Sequence, residues 1–147
     1  MRNVEAAILI HSTPERVIAA FLEEYDLKGW WGVQRCLVEK KVNGTWAVAW
    51  EISDSGIKYI STGVITEYNP HSHLAVSHLV YVNPDRQILG PMKLELFAET
   101  TADSATRLQL IQSGYQQDGD WDWYFEAVKN TWPFALELLK KYLEACE

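Results

Sequence analysis

The chain holds only two cysteines, Cys36 and Cys146, far apart and without a metal-type spacing. A disulfide framework and a thiolate metal site are thereby excluded, and an intracellular chain with two free thiols is the economical reading. No apolar run approaches the ~20 residues of a membrane span. The opening stretch MRNVEAAILIHSTPE lacks both the length and the small-residue cleavage site of a secretory signal. Basic residues are also in short supply: 13 Lys and Arg stand against 20 Asp and Glu, for a net charge of −7, and they are dispersed. No basic run can track a phosphate backbone, so neither nucleic acid nor a membrane is an expected partner, and the expected location is the cytoplasm. A Gly-rich phosphate loop, a nucleophile elbow and a helix-borne His-Glu pair are missing too, so no cofactor is expected.

What is plentiful is ring surface. Hydrophobic residues make up 48% and aromatic residues 12% of the chain, with 7 tryptophans among them. Such a chain folds, and its 147 residues make one domain, 1–147, with enough volume for a sizeable core. So many large flat side chains leave some rings free to line a space.

Hydrophobic period divides the chain into three parts. Residues 3–11 alternate as a strand, and Ser12-Thr13-Pro14-Glu15 then supplies a capping hydroxyl, a first-turn proline and an early acid. The expected helix runs to about Glu24, with Val17, Ile18, Phe21, Leu22 and Tyr25 on one side, and a second short helix closes on Trp30 and Trp31. Six strand-like runs follow, VQRCLVEKKV, TWAVAWEIS, IKYISTGVITEY, HLAVSHLVYV, PMKLELFAET and TRLQLIQSGY, separated by short turn sequences. The Asn43-Gly44 pair between the first two is a hairpin turn needing positive φ rather than a glycosylation site. Connections this short make an antiparallel meander, and the first strand brings the sheet to about seven.

The closing segment returns to helical spacing, since Trp121, Phe125, Val128, Trp132, Leu136, Leu139 and Leu143 form one stripe. Asp120 is its expected N-cap. Pro133 inside it implies either one helix bent against a curved surface, the favoured reading, or two helices meeting at Thr131 or Trp132. The stripe can meet one face of the sheet, made of Trp46, Val48, Trp50 and Ile52, then Leu74, Val76, His78 and Val80, then Met92, Leu94 and Leu96, then Leu108, Leu110 and Gln112.

The phrases ILIHSTPERVIAAF, WWG, NGTW, GVITEYNPHSHLAVSH, TRLQLIQSGY and NTWPFALELLKKYLE, in this order, resemble the activator of heat-shock-protein-90 ATPase homologue-like branch of the START-related helix-grip superfamily. The resemblance spans nearly the whole chain. It implies an α+β helix-grip fold: a curved antiparallel sheet wrapped around a long C-terminal helix, two short helices after the first strand, and a cavity between sheet and helix. Relatives carry lipids, sterols, aromatic polyketides or hormones, and some catalyse cyclisation. The branch name adds a chaperone ATPase as a possible partner and a link to the stress response. His78 stands where many relatives carry an aromatic residue, and Gln112 where they often carry histidine, which implies a pocket of different polarity.

The expected function is therefore binding of a small apolar or aromatic, lipid-like ligand by a monomer or homodimer. The alternatives are a chaperone-modulating interaction protein and a cyclase- or hydrolase-type enzyme with His78 as its base. Trp31, Trp50, Tyr59, His78, Gln112, Phe125, Val128 and Trp132 are the candidate ligand contacts. Each also has a plain structural role open to it: His78 as a buried, satisfied histidine, the tryptophans as core or rim. His71-Ser72-His73 resembles a metal pair but lacks a convincing third ligand, so no metal is expected.

Overall fold

The computed structural model describes residues 2–145. Strand β1 (Val4–Ile10) is followed by helices α1 (Pro14–Ala19) and α2 (Glu24–Trp31). Six further strands come next, β2 (Arg35–Val38), β3 (Thr45–Ser53), β4 (Gly56–Asn69), β5 (His73–Val82), β6 (Leu89–Thr100) and β7 (Thr106–Ser113), and then helix α3 (Asp120–Ala145). All seven strands form one antiparallel sheet in the order β1-β7-β6-β5-β4-β3-β2. Every strand from β2 to β7 thus pairs with its neighbour in sequence, as the short turns require, and β1 closes the far edge against β7. At the β2–β3 hairpin Asn43 takes φ 70°.

Local chemistry sets the helix boundaries. The Thr13 hydroxyl accepts the Arg16 amide at 3.1 Å, with Pro14 in the first turn. The first helix stops at Ala19, earlier than the stripe suggested, because residues 20–23 tighten into a turn: Phe21 and Leu22 donate to the carbonyls of Ile18 and Ala19 at 3.1 and 2.9 Å. That turn frees two carbonyls for indoles. Trp30 Nε1 donates to Ala20 O and Trp46 Nε1 to Phe21 O, both at 2.9 Å. Restarting at Glu24 rotates the stripe, which leaves Tyr25 at 83% exposure instead of on the apolar side. Helix α2 ends at Gly32, whose φ of 72° is the left-handed conformation glycine adopts without cost.

Helix α3 runs unbroken through Pro133, as the single-helix reading required, with the proline ring on the solvent side. The ring removes one backbone donor on a face that water reaches. Two residues back, the Thr131 hydroxyl donates to the Ala127 carbonyl at 2.6 Å. The expected N-cap role of Asp120 is not observed. Its carboxylate instead accepts the Gln87 amide at 2.8 Å and the Arg86 guanidinium at 3.1 Å, fastening the β5–β6 loop to the start of α3.

At its other end Lys140 Nζ donates to Leu9 O at 2.8 Å, and Glu144 accepts the His11 amide at 2.9 Å, which pins α3 to β1. A second fastening joins all three helices. Arg16 meets Asp26 through two bonds of 2.8 Å, and the Tyr142 hydroxyl donates to the same carboxylate at 2.7 Å. The Tyr142 ring lies directly over Gly29, where a β-carbon would sit 2.5 Å from Cε1, so α2 and α3 approach closely only because position 29 is glycine. The close backbone approaches of α3 are therefore to β1 and α2. Opposite the middle strands the helix stands away from the sheet.

Candidate functional site

The space left there is a hollow of about 540 Å³, partly open to solvent. Its wall comes from the end of α2, from strands β3 to β7, and from one face of α3. Five of the seven tryptophans line it, Trp31, Trp46, Trp50, Trp123 and Trp132, together with Tyr59, Tyr81 and Tyr124. Trp31 is the hub: its ring is 4.9 Å from Trp50, 5.3 Å from Trp132 and 6.3 Å from Trp46 between centroids. Contacts of this kind hold one another in place, so the aromatic wall is rigid rather than a set of free rotors.

Several polar groups on the inner face have partners inside the protein. Trp50 Nε1 donates to Trp31 O at 3.1 Å, which ties β3 to the end of α2. Gln112, buried at 2% exposure, accepts Trp132 Nε1 at 2.9 Å and donates to Tyr124 Oη at 3.2 Å. Burial lifts the Tyr124 phenol above its ordinary value, opposed by the weaker pull of the Gln112 bond, so it stays neutral. Replacing Gln112 by Leu leaves the Trp132 N–H buried without an acceptor, and we expect a loss of about 1–3 kcal/mol in urea unfolding. A stability unchanged from wild type would show that the indole finds another partner.

Six of the eight candidate contacts, Trp31, Trp50, Tyr59, Gln112, Val128 and Trp132, come together around this hollow. Two do not. His78 is exposed, with φ 53°, because β5 bulges there: Val76 pairs with Leu94 but Leu79 with Met92, one residue out of step. The bulge reverses the alternation, so Leu79 and Tyr81 face inward, at 3% and 9% exposure, where His78 and Val80 were expected. Phe125 stays in the stripe but packs to the side, edge-on to Tyr115 at 5.2 Å and under the Arg2 guanidinium at 4.6 Å.

Tyr81, Trp123 and Tyr124 escaped the sequence reading. The signal for Tyr124 was available, since it follows Trp121 by three residues on the same helical face. Tyr81 needed the bulge, which no pattern announces. Trp123 is held at the rim by Arg86, whose guanidinium carbon lies 3.5 Å from the ring centroid.

The histidine pair is also split. His71 Nδ1 meets Glu15 at 2.7 Å on the surface, whereas His73 lies beside Glu67 and Glu95, with ligand-type atoms all within 4.8 Å of one another. The carboxylates that the sequence reading missed come from β4 and β6, brought alongside by strand pairing. Lys93 Nζ stands 3.7 Å from Glu67 and 3.5 Å from Glu95, so a cation from the chain itself already serves both acids. Of the two thiols, Cys36 is free and half-buried, its thiol pushed up by burial, and Cys146 lies outside the described residues. Among the described residues no helix is long and apolar enough to cross a membrane.

The family model for Activator of Hsp90 ATPase homolog 1-like protein matches residues 11–144. The chain belongs to this family. No match was found among curated proteins. Solved structures of similar fold include a protein from Mesorhizobium loti, 17% identical with a TM-score of 0.78, the match covering 99% of each chain. The Aha1 dimer of Colwellia psychrerythraea is 18% identical with a TM-score of 0.73, covering 98% of this chain and 97% of that one. The AHSA1 protein of Silicibacter pomeroyi is 17% identical with a TM-score of 0.72, covering 99% and 100%. At these identities the likeness concerns the helix-grip fold alone.

Proposed function

We propose that this family member binds one small apolar or aromatic molecule between the sheet and α3. The observation that carries the reading is the hollow of about 540 Å³ walled by tryptophan and tyrosine rings, within the ~300–1,000 Å³ of small-molecule sites. With the indole N–H groups of Trp50 and Trp132 already bonded inside the protein, the wall offers mainly ring faces and methyl groups. Titrating intrinsic tryptophan fluorescence with flat polycyclic compounds and fatty acids tests this. Saturable quenching at one equivalent supports it, and an unchanged signal across the panel contradicts it.

A second reading has its own observation. Beside the mouth, α3 leaves Phe134 at 66%, Leu138 at 37% and Trp123 at 37% exposure, an apolar set open to a protein partner. The family's name supplies the candidate, a chaperone ATPase. Replacing Phe134 by Asp should then lower capture of the cognate chaperone and its ATPase response, and unchanged capture would contradict this reading. The enzymatic alternative rested on His78, which lies outside the hollow.

A further inference from the structure

Resting on the ligand-binding reading, we infer that Tyr124 donates its phenolic proton to a carbonyl oxygen of the bound molecule, so that the preferred ligands are flat aromatic ketones or quinones rather than hydrocarbons. The argument is one of hydrogen-bond direction. The Trp132 indole N–H can only donate, and it lies 2.9 Å from Gln112, so the amide oxygen must face it. The amide nitrogen then faces Tyr124 Oη at 3.2 Å and Met92 Sδ at 3.6 Å, and its two protons are spent on those acceptors. Tyr124 Oη is therefore an acceptor in this chain of bonds, and its own proton must point elsewhere.

No described residue takes that proton. The nearest hydroxyl-bearing ring, Tyr81, lies 4.5 Å away between centroids and tilted by 31°, and its oxygen receives Asn83 Nδ2 at 3.4 Å. Tyr124 lines the hollow and is 6% exposed, so the free O–H is directed at the space a ligand would fill. A buried donor left without an acceptor is costly, which selects for a ligand that brings one. A ring system held against tryptophan faces has only its edge for polar contact, and a carbonyl carries its lone pairs in the ring plane, at that edge. Burial also keeps the Tyr124 phenol protonated well beyond the ordinary tyrosine range, so the donor persists at any working pH.

The test uses 9-fluorenone and fluorene, which share a three-ring outline and differ at one carbon, titrated into the wild-type chain and Tyr124→Phe. Wild type should bind the ketone about tenfold more tightly than the hydrocarbon, and the variant should bind the two alike. Fluorene binding by the variant shows its hollow intact. Should the variant lose both compounds, the infrared carbonyl band of fluorenone in the wild-type complex decides: a shift to lower frequency supports the donor, an unshifted band overturns it. A ketone preference that is absent in wild type, or that survives in the variant, overturns the role of Tyr124 while leaving the apolar site standing. Binding of neither compound to wild type overturns the site itself.

Discussion

Replacing Ala127 by Trp should lower the affinity for fluorene-sized ligands at least about thirtyfold while leaving the melting temperature within a few degrees of wild type. Ala127 lies on the helix face that lines the hollow, between Trp123 and Thr131, and is only half-buried. An indole grown from its β-carbon enters open space instead of displacing packed atoms, so overpacking strain is small and ligand volume is lost. The neighbouring lining residue Ala135 is a contrasting control: at 2% exposure it is embedded in the core, and a large side chain there should destabilise the fold. Calorimetric titration of both variants separates the effects. Undiminished affinity in Ala127→Trp would mean that ligands bind elsewhere.

Removing the Asp26 carboxylate should have the largest effect on stability. Arg16, Asp26 and Tyr142 join the three helices, and Asp26→Ala leaves a guanidinium and a phenol aimed at an empty position. Breaking a buried pair costs ~3–5 kcal/mol, and because the Arg16 side chain is 37% exposed we expect the lower end, about 3 kcal/mol, or roughly 10 °C in melting temperature. The pH dependence follows from the sign of the shift. Burial raises the Asp26 pKa, but the Arg16 and Tyr142 bonds outweigh it, and the net effect holds the carboxyl below its ordinary value. A depressed folded pKa gives stability that is complete above the unfolded value of about 3.9 and is lost as pH falls through the folded one. The melting-temperature gap between wild type and Asp26→Asn should therefore be constant near neutrality and shrink below about pH 4. A gap that is the same at pH 3 and pH 7 would remove the ion pair from the account. Because α2 ends in Trp31, this fastening also positions the hub of the aromatic wall.

The meander, the single long helix and the inward placement of six of the eight candidate residues were legible in the sequence because they follow from period and turn chemistry alone. The stripe from Trp121 to Leu143 and the alternation in β3, β6 and β7 needed no tertiary knowledge. What escaped were events where one residue changes the phase. The bulge at His78 reversed the inward face of β5, exchanging a histidine for Tyr81, and the turn after Ala19 turned Tyr25 out to water. Both depend on contacts between distant segments: the Trp30 and Trp46 indoles claim the carbonyls of the turn, and β6 accepts the shifted register. Asp120 looked like a cap because acids favour helix starts, yet the β5–β6 loop competed for its oxygens and won.

The most direct measurement is fluorine NMR of the chain labelled with 5-fluorotryptophan, which gives one resonance for each of its 7 indoles. On adding fluorene, the signals of Trp31, Trp46, Trp50, Trp123 and Trp132, whose rings face the hollow, should move together to saturation at one equivalent, and that of Trp121, outside it, should stay in place. Movement of Trp121 with the five wall signals silent, or no movement at saturating ligand, would contradict a binding site between the sheet and α3.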